Sequence, residues 1–249
     1  MAVASYLICA SPRSGSTLLC DLLKQTGVAG RPNSFYRRES VDHYVERFGI
    51  EPGSGSAFER RYLDAAIRHG TADTGMFGMR LMWPSLPGLL DKLRPLFPQQ
   101  STDAGRLAAA FGTPLYIHLR REDRLAQAIS RAKAEQSGLW HRGADGSERE
   151  RVKPPEAPSY DAAQLAGFIA EAAEYETGWQ RWFASEGIAP LELTYEALSA
   201  DPTAVLATIL EALGLDPATA ANVAPQTARL ADAESAAWAE RFRAEHPGR

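Results

Sequence analysis

The sequence predicts a three-layer α/β fold, a central parallel sheet flanked by helices. Three observations predict it: four stretches have strand character, segments of helical periodicity lie between them, and the first stretch runs through a short polar loop straight into a helix. Strands separated by helices need crossover connections, and crossovers make neighbouring strands parallel. With 249 residues, 45% of them hydrophobic, the chain can bury most of its unfolded surface as one domain spanning residues 1–249.

The first strand is expected at Tyr6 to Ala10, followed by a helix from about Thr17 to Thr26. Leu18, Leu19, Leu22 and Leu23 form one stripe of that helix, and Gly27 is placed to close it in a left-handed conformation. Further strands are expected at Phe77 to Trp83, Leu115 to Leu119 and Pro190 to Tyr195, the last two alternating with the period of a pleated strand. Asp201 caps and Pro202 opens a late helix that buries Val205, Leu206, Ile209, Leu210 and Leu213 before Gly214 ends it. Two stretches resist this pattern. Arg31 to Ser56 is polar, aromatic and glycine-rich, and Gln136 to Ser159 is charged and broken by Gly and Pro, which reads as a solvated surface loop or a lid.

Composition excludes several functions. A formal charge of -4 does not supply the basic footprint that a nucleic-acid partner requires. No apolar stretch is long enough to cross a bilayer, and Met1 to Ala4 resemble no leader, so a soluble cytoplasmic protein is expected. Cys9 and Cys20 show no metal spacing and read as buried thiols of a reducing compartment.

The chemistry concentrates in "SPRSGST". At a helix N-terminus the backbone amides of Ser14, Gly15, Ser16 and Thr17 are free to wrap an oxyanion, and Gly15 permits close approach. The hydroxyls of Ser14, Ser16 and Thr17 add donors, and Arg13 adds a charge able to form two parallel hydrogen bonds. A nucleotide triphosphatase has a Lys after the glycine, where this chain has Ser16. Far along the chain, "YIHLRREDRLAQAISRAKA" brings a strand, Arg120, Arg121 and a helical Ser130 to the same sheet edge, where they suit a second phosphate. The ligand so described is a nucleotide phosphorylated at both ends of its ribose. A P-loop phosphotransferase acting on a small molecule and a non-catalytic carbohydrate-binding relative stay open as alternatives.

At these residues the sequence resembles the sulfotransferases that use 3′-phosphoadenosine 5′-phosphosulfate (PAPS), and more narrowly the bacterial carbohydrate sulfotransferases of the trehalose and lipopolysaccharide sulfotransferase type. The resemblance runs through "ASPRSGSTLL", "TGVAGRP", "FGMRLMW", "QAIS", "GLWHRG", "LTYEALSADP" and "LADAESAAWAERF". It implies a P-loop-type fold, PAPS as sulfuryl donor without a metal, a carbohydrate or glycolipid acceptor, and a homodimer. "PRSGST" then holds the 5′-phosphosulfate, Arg121 or Arg120 with Ser130 holds the 3′-phosphate, and Arg229 faces the cofactor.

On the acceptor side the resemblance points to Pro12, Arg31, Asn33, Ser34, Phe35, Tyr36 and Arg37. Here the chain departs from its relatives: trehalose sulfotransferases of this family place a glutamate, taken as general base, at the position of Ser34, and another at Arg31. A serine hydroxyl does not accept a proton near neutral pH as a carboxylate does. His43, close by with Glu39 and Asp42, has the most suitable unperturbed pKa and stands as the candidate base. Arg80 in "FGMRLMW" lies near the carboxyl end of its strand, in reach of a transferring group, while His118 reads as packed in the sheet and His69, His141 and His246 give no pairing signal.

Overall fold

The computed structural model describes residues 4–143, 145–225 and 232–247. Its strands are β1 (Ala4–Ala10), β2 (Met76–Met82), β3 (Leu115–Arg120), β4 (Leu139–Arg142), β5 (Glu148–Arg151) and β6 (Leu191–Thr194). The order β2-β1-β3-β6 makes one sheet whose neighbours all pair parallel. The register sets Ala10 beside Met82 and Leu119, and Leu119 beside Leu193, so all four carboxyl ends emerge along one edge. These four strands lie where periodicity placed them.

Helices α1 (Ser16–Gln25), α2 (Val41–Phe48), α3 (Gly55–Thr71), α4 (Leu86–Leu93), α5 (Asp103–Phe111), α6 (Arg124–Ser137), α7 (Ala162–Glu186), α8 (Tyr195–Ala200), α9 (Pro202–Ala212) and α10 (Ala233–Glu245) complete the described elements, with short 3₁₀ turns between some of them. Alternation along β1 divides the core. Leu7 and Cys9 join Phe77, Met79, Leu81 and Tyr116 against α3, α4, α5 and α7. Tyr6, Ile8 and Ala10 join Ile117, Leu119 and Leu193 against α1, α8 and α9. A smaller cluster, Ala128, Ile129, Leu165, Trp238 and Phe242, packs α6 with α7 and α10. His118 is buried as expected, with Nδ1 3.0 Å from Glu192. Both cysteines are buried, and desolvation raises both thiol pKa values, so neither is poised to react.

The two resistant stretches hold more order than their composition suggests. In Arg31–Ser56, Val41, Tyr44, Val45 and Phe48 form the apolar face of α2 and join the core, and Phe35 packs edge-on against Tyr44. Asn33 bridges Met79 of β2, which ties the start of this stretch to the sheet. Just before it, Gly30 has φ +70°, and a Cβ there would lie 2.1 Å from the Met76 carbonyl oxygen. In Gln136–Ser159 the expected solvated loop contains the antiparallel β4–β5 hairpin, which hangs over the carboxyl edge of the sheet. Asp145 accepts from the amide and hydroxyl of Ser147 in its turn, where Gly146 has φ +84°.

Candidate active site

A cleft of ≈ 1540 Å³ opens at that edge. The loop from β1 to α1 forms its floor. Its backbone passes through the left-handed region twice, at Arg13 (φ 64°) and Gly15 (φ 87°). Arginine takes that conformation only under constraint from its surroundings. Gly15 is required twice over, because a Cβ there would also stand 2.5 Å from Cδ2 of Tyr195. α1 begins at this glycine with no side-chain cap and no acid in its first turn, so its leading amides point unpaired at the cleft. The Ser14 amide is already engaged, donating to the Ser11 carbonyl at 3.3 Å, and the Ser14 side chain is fully buried. The amides left open to the cleft therefore start at Gly15 rather than Ser14, with Ser16 and Thr17 on the wall.

Three arginines converge on this floor from three strands. Arg13 follows β1; its Nε donates to Ser130 Oγ at 3.0 Å and its Nη1 to the Trp140 carbonyl at 2.7 Å. Arg121 follows β3, donates to the Arg13 carbonyl at 3.3 Å, and lies 4.4 Å from the centre of the Tyr195 ring. Arg80, in β2, donates through Nε to Ser34 Oγ at 2.7 Å and through Nη1 to Thr17 Oγ1 at 2.6 Å. Among the described residues none of the three forms an ion pair with a carboxylate. Burial, and then repulsion from Arg121, lower the Arg13 pKa to about 10, which leaves it cationic at neutral pH. Burial lowers Arg121 as well, and its Nε is buried without a partner. Positive charge held this way, with no carboxylate in ion-pair contact among the described residues, suits an anion.

Arg120 is not part of it: its guanidinium turns out to Glu122, 3.5 Å away, off the cleft wall. Arg229 lies outside the described residues. Arg13 and Ser130, 117 positions apart in sequence, touch.

The acceptor-side residues divide. Pro12, Ser34, Tyr36 and Arg37 line the cleft. Arg31, Asn33 and Phe35 do not: the Arg31 amide donates to Gly70, Asn33 Oδ1 accepts from the Ser34 amide, and Phe35 is core, its carbonyl accepting from Tyr62. Their work is to hold Ser34 and Tyr36 in place. Ser34, only 6% exposed, accepts from Arg80 and is no base. His43 stands apart from the cleft. It is exposed on α2, with its ring against Tyr44, and does not line the cleft.

What sequence reasoning missed stands on the opposite wall. Cross-strand pairing sets His141 of β4 against Glu150 of β5, with Nε2 and Oε2 3.4 Å apart, and the same Nε2 lies 3.1 Å from Thr17 Oγ1. The signal available was Asp145-Gly146, a hairpin turn dipeptide. Trp83, by contrast, packs on Trp179 and against Gly178, away from the wall.

A parallel sheet whose carboxyl edge combines an open helix N-terminus with arginines from three strands has the form of an anion site at a strand-edge crevice. Comparison with known proteins narrows the class: the Stf0 sulphotransferase family profile matches residues 5–245, and the chain belongs to that family. Trehalose 2-sulfotransferase of Mycobacterium tuberculosis (strain ATCC 35801 / TMC 107 / Erdman) is 33% identical over 273 residues, covering 99% of this chain and 97% of that protein. The trehalose 2-sulfotransferase of Mycolicibacterium smegmatis is 32% identical, covering 96% and 94%. A sulfotransferase domain from the Synechococcus PCC 7002 olefin synthase matches 97% of this chain and 88% of its own at 16% identity, with a TM-score of 0.47.

Proposed function

We propose that this sulfotransferase moves the sulfuryl group of PAPS to a hydroxyl of a carbohydrate or glycolipid. The observation that carries the reading is the set of three guanidinium groups, Arg13, Arg80 and Arg121, on one cleft floor without carboxylate partners. The residues suit the donor. The α1 amides from Gly15 onward and Arg13 suit its 5′ end, and Arg121 with Ser130 suits its 3′-phosphate. PAPS supplies an activated sulfuryl group. When the acceptor oxygen bonds to sulfur and the sulfur–bridging-oxygen bond breaks, negative charge grows on the departing 5′-phosphate. Donors fixed at that position before the reaction stabilise the transition state more than the ground state.

Arg80 weighs against a triphosphate-dependent phosphotransferase. Thr17 follows the glycine at the position where such enzymes bind magnesium through a Ser/Thr hydroxyl. Here Arg80 already donates to that hydroxyl at 2.6 Å, so a fixed cation stands in the metal's place. The acceptor wall of Ser34, Tyr36 and Arg37 presents hydroxyls and a guanidinium suited to a polyol, and the likeness to trehalose 2-sulfotransferases supports a carbohydrate.

The test is transfer from radiolabelled PAPS to a panel of disaccharides including trehalose, lipooligosaccharides and phenols. Labelled sulfated sugar is the expected product. Labelled phenols alone would overturn the carbohydrate assignment, and no labelled product from any acceptor would overturn the proposed transfer.

A further inference from the structure

We propose that Tyr195 is a positioning residue for Arg121, its ring face holding the guanidinium for the donor's 3′-phosphate without neutralising it; this rests on the PAPS reading above. Register makes the two residues neighbours. Arg120 ends β3 opposite Thr194, which ends β6, so Arg121 and Tyr195 leave adjacent parallel strands at the same level of the carboxyl edge. Both line the cleft. The guanidinium carbon of Arg121 lies 4.4 Å from the centre of the Tyr195 ring, well inside the range of a cation–π contact.

A carboxylate in this place would fix the guanidinium equally well but would cancel the charge that a phosphate needs. An aromatic face attracts the cation and leaves its N–H donors to an anion. The hydrogen bond that Arg121 makes, to the Arg13 carbonyl at 3.3 Å, is likewise to a neutral group, and its Nε is buried with no partner. A donor remains unspent. Glu196, the next residue of α8, is turned to the main chain instead, accepting from the amides of Glu122 at 3.1 Å and Asp123 at 3.3 Å. One turn of α8, capped by the Thr194 side chain on the Ala197 amide, therefore holds both the side chain of Arg121 and the backbone that follows it. At the ring's edge, Cδ2 stands where a Cβ on Gly15 would come within 2.5 Å, so Tyr195 also borders the loop suited to the donor's 5′ end. A single ring spans both halves of the donor site.

The test is calorimetry on the full chain with adenosine 3′,5′-bisphosphate and adenosine 5′-monophosphate, read as the ratio of their affinities. The ratio isolates the 3′-phosphate, because a disturbance of the Gly15 loop weakens both nucleotides alike. Tyr195→Leu is expected to lower the ratio by roughly five- to thirtyfold, the worth of a partly to fully desolvated cation–π contact. Tyr195→Phe keeps a ring face and should stay within about threefold of wild type. In an Arg121→Ala background Tyr195→Leu should lower the ratio no further, since a residue that acts through Arg121 then has nothing to act on. A wild-type ratio in Tyr195→Leu, or an equal loss with Arg121 absent, would overturn the positioning role. The Nε–H proton of Arg121 gives a readout that needs no Tyr195 variant to fold: stacked on a ring, its resonance in wild type should lie upfield of the ordinary arginine position. An unshifted resonance would overturn the contact. Equal affinity of wild type for the two nucleotides would overturn the two-phosphate reading and the positioning role with it, a result distinct from a wild type of high ratio matched by Tyr195→Leu.

Discussion

Arg13 carries conflicting demands. Its backbone sits at φ 64°, its guanidinium is withdrawn from water beside Arg121, and its hydrogen bonds go to a hydroxyl and a carbonyl rather than a carboxylate. The left-handed backbone and the desolvated charge both oppose stability, which points to a functional role. Arg13→Gly accepts the left-handed backbone and removes the charge. That variant is expected to fold cooperatively while turnover falls by about a hundred- to a thousand-fold, as for other lost preorganised donors. Ser130→Ala should act differently, raising the donor's dissociation constant with a smaller change in kcat, because a hydrogen bond to a charged group contributes about 1.5–3 kcal/mol. A purely catalytic defect in Ser130→Ala would contradict its assignment. At this scale the sequence placed Arg13, Thr17 and Ser130 at the sheet edge and left Arg120 and Arg121 both open, because loop and strand-end positions announce themselves. It could not show that Ser14 is turned inward, that Arg120 faces solvent or that His43 lies on an outer helix face, since side-chain direction depends on neighbours far along the chain.

The strand-loop-helix unit and the hairpin above it are the elements that make the site. Substituting Gly15 by Ala puts a methyl group against Tyr195 at a position with φ 87°, so a lower melting temperature and loss of donor binding should appear together. A Gly15→Ala protein as stable as wild type would mean that the loop relaxes freely. The parallel strands were legible because apolar runs between helices have few other readings. α2 was legible in principle, for Val41, Tyr44, Val45 and Phe48 fall at i, i+3, i+4 and i+7, yet the surrounding arginines and aromatics drew the segment toward a binding loop. The hairpin was harder: Glu148–Arg151 is wholly charged, so no alternation of apolar and polar residues marks it as a strand. At the far end of the chain, Asp232 caps α10 and meets Lys133 of α6 at 2.7 Å. Burial works against its ionisation, but hydrogen bonds from Lys133 and from Ser235 outweigh it and lower its pKa to about 2. The folded-state value is depressed, so the stabilisation is present above the ordinary value of 3.8 and is lost as pH falls toward about 2. Asp232→Asn keeps the cap and removes the charge. It should melt below wild type at pH 6 and level with it near pH 2, by circular dichroism.

For the whole molecule, the division of the core by one sheet explains how distant residues meet. Both faces of β1 are buried, so β1 is fixed in the middle of the order β2-β1-β3-β6 and its loop opens between the ends of β2 and β3. Arg80 and Arg121 then flank Arg13 without any further device. Topology brings the three charges together; no single local motif does. An anion that neutralises this edge should stabilise the entire fold. Adenosine 3′,5′-bisphosphate at a hundred times its dissociation constant adds about 2.7 kcal/mol, or roughly 5–10 °C in melting temperature for a chain of this size.

The most direct measurement is a calorimetric comparison of adenosine 3′,5′-bisphosphate with adenosine 5′-monophosphate, in chelator, on wild type and Arg121→Ala. Wild type should bind the doubly phosphorylated nucleotide far more tightly, and Arg121→Ala should erase most of the difference. Equal affinity of wild type for both nucleotides would contradict the placement of two phosphates on this edge.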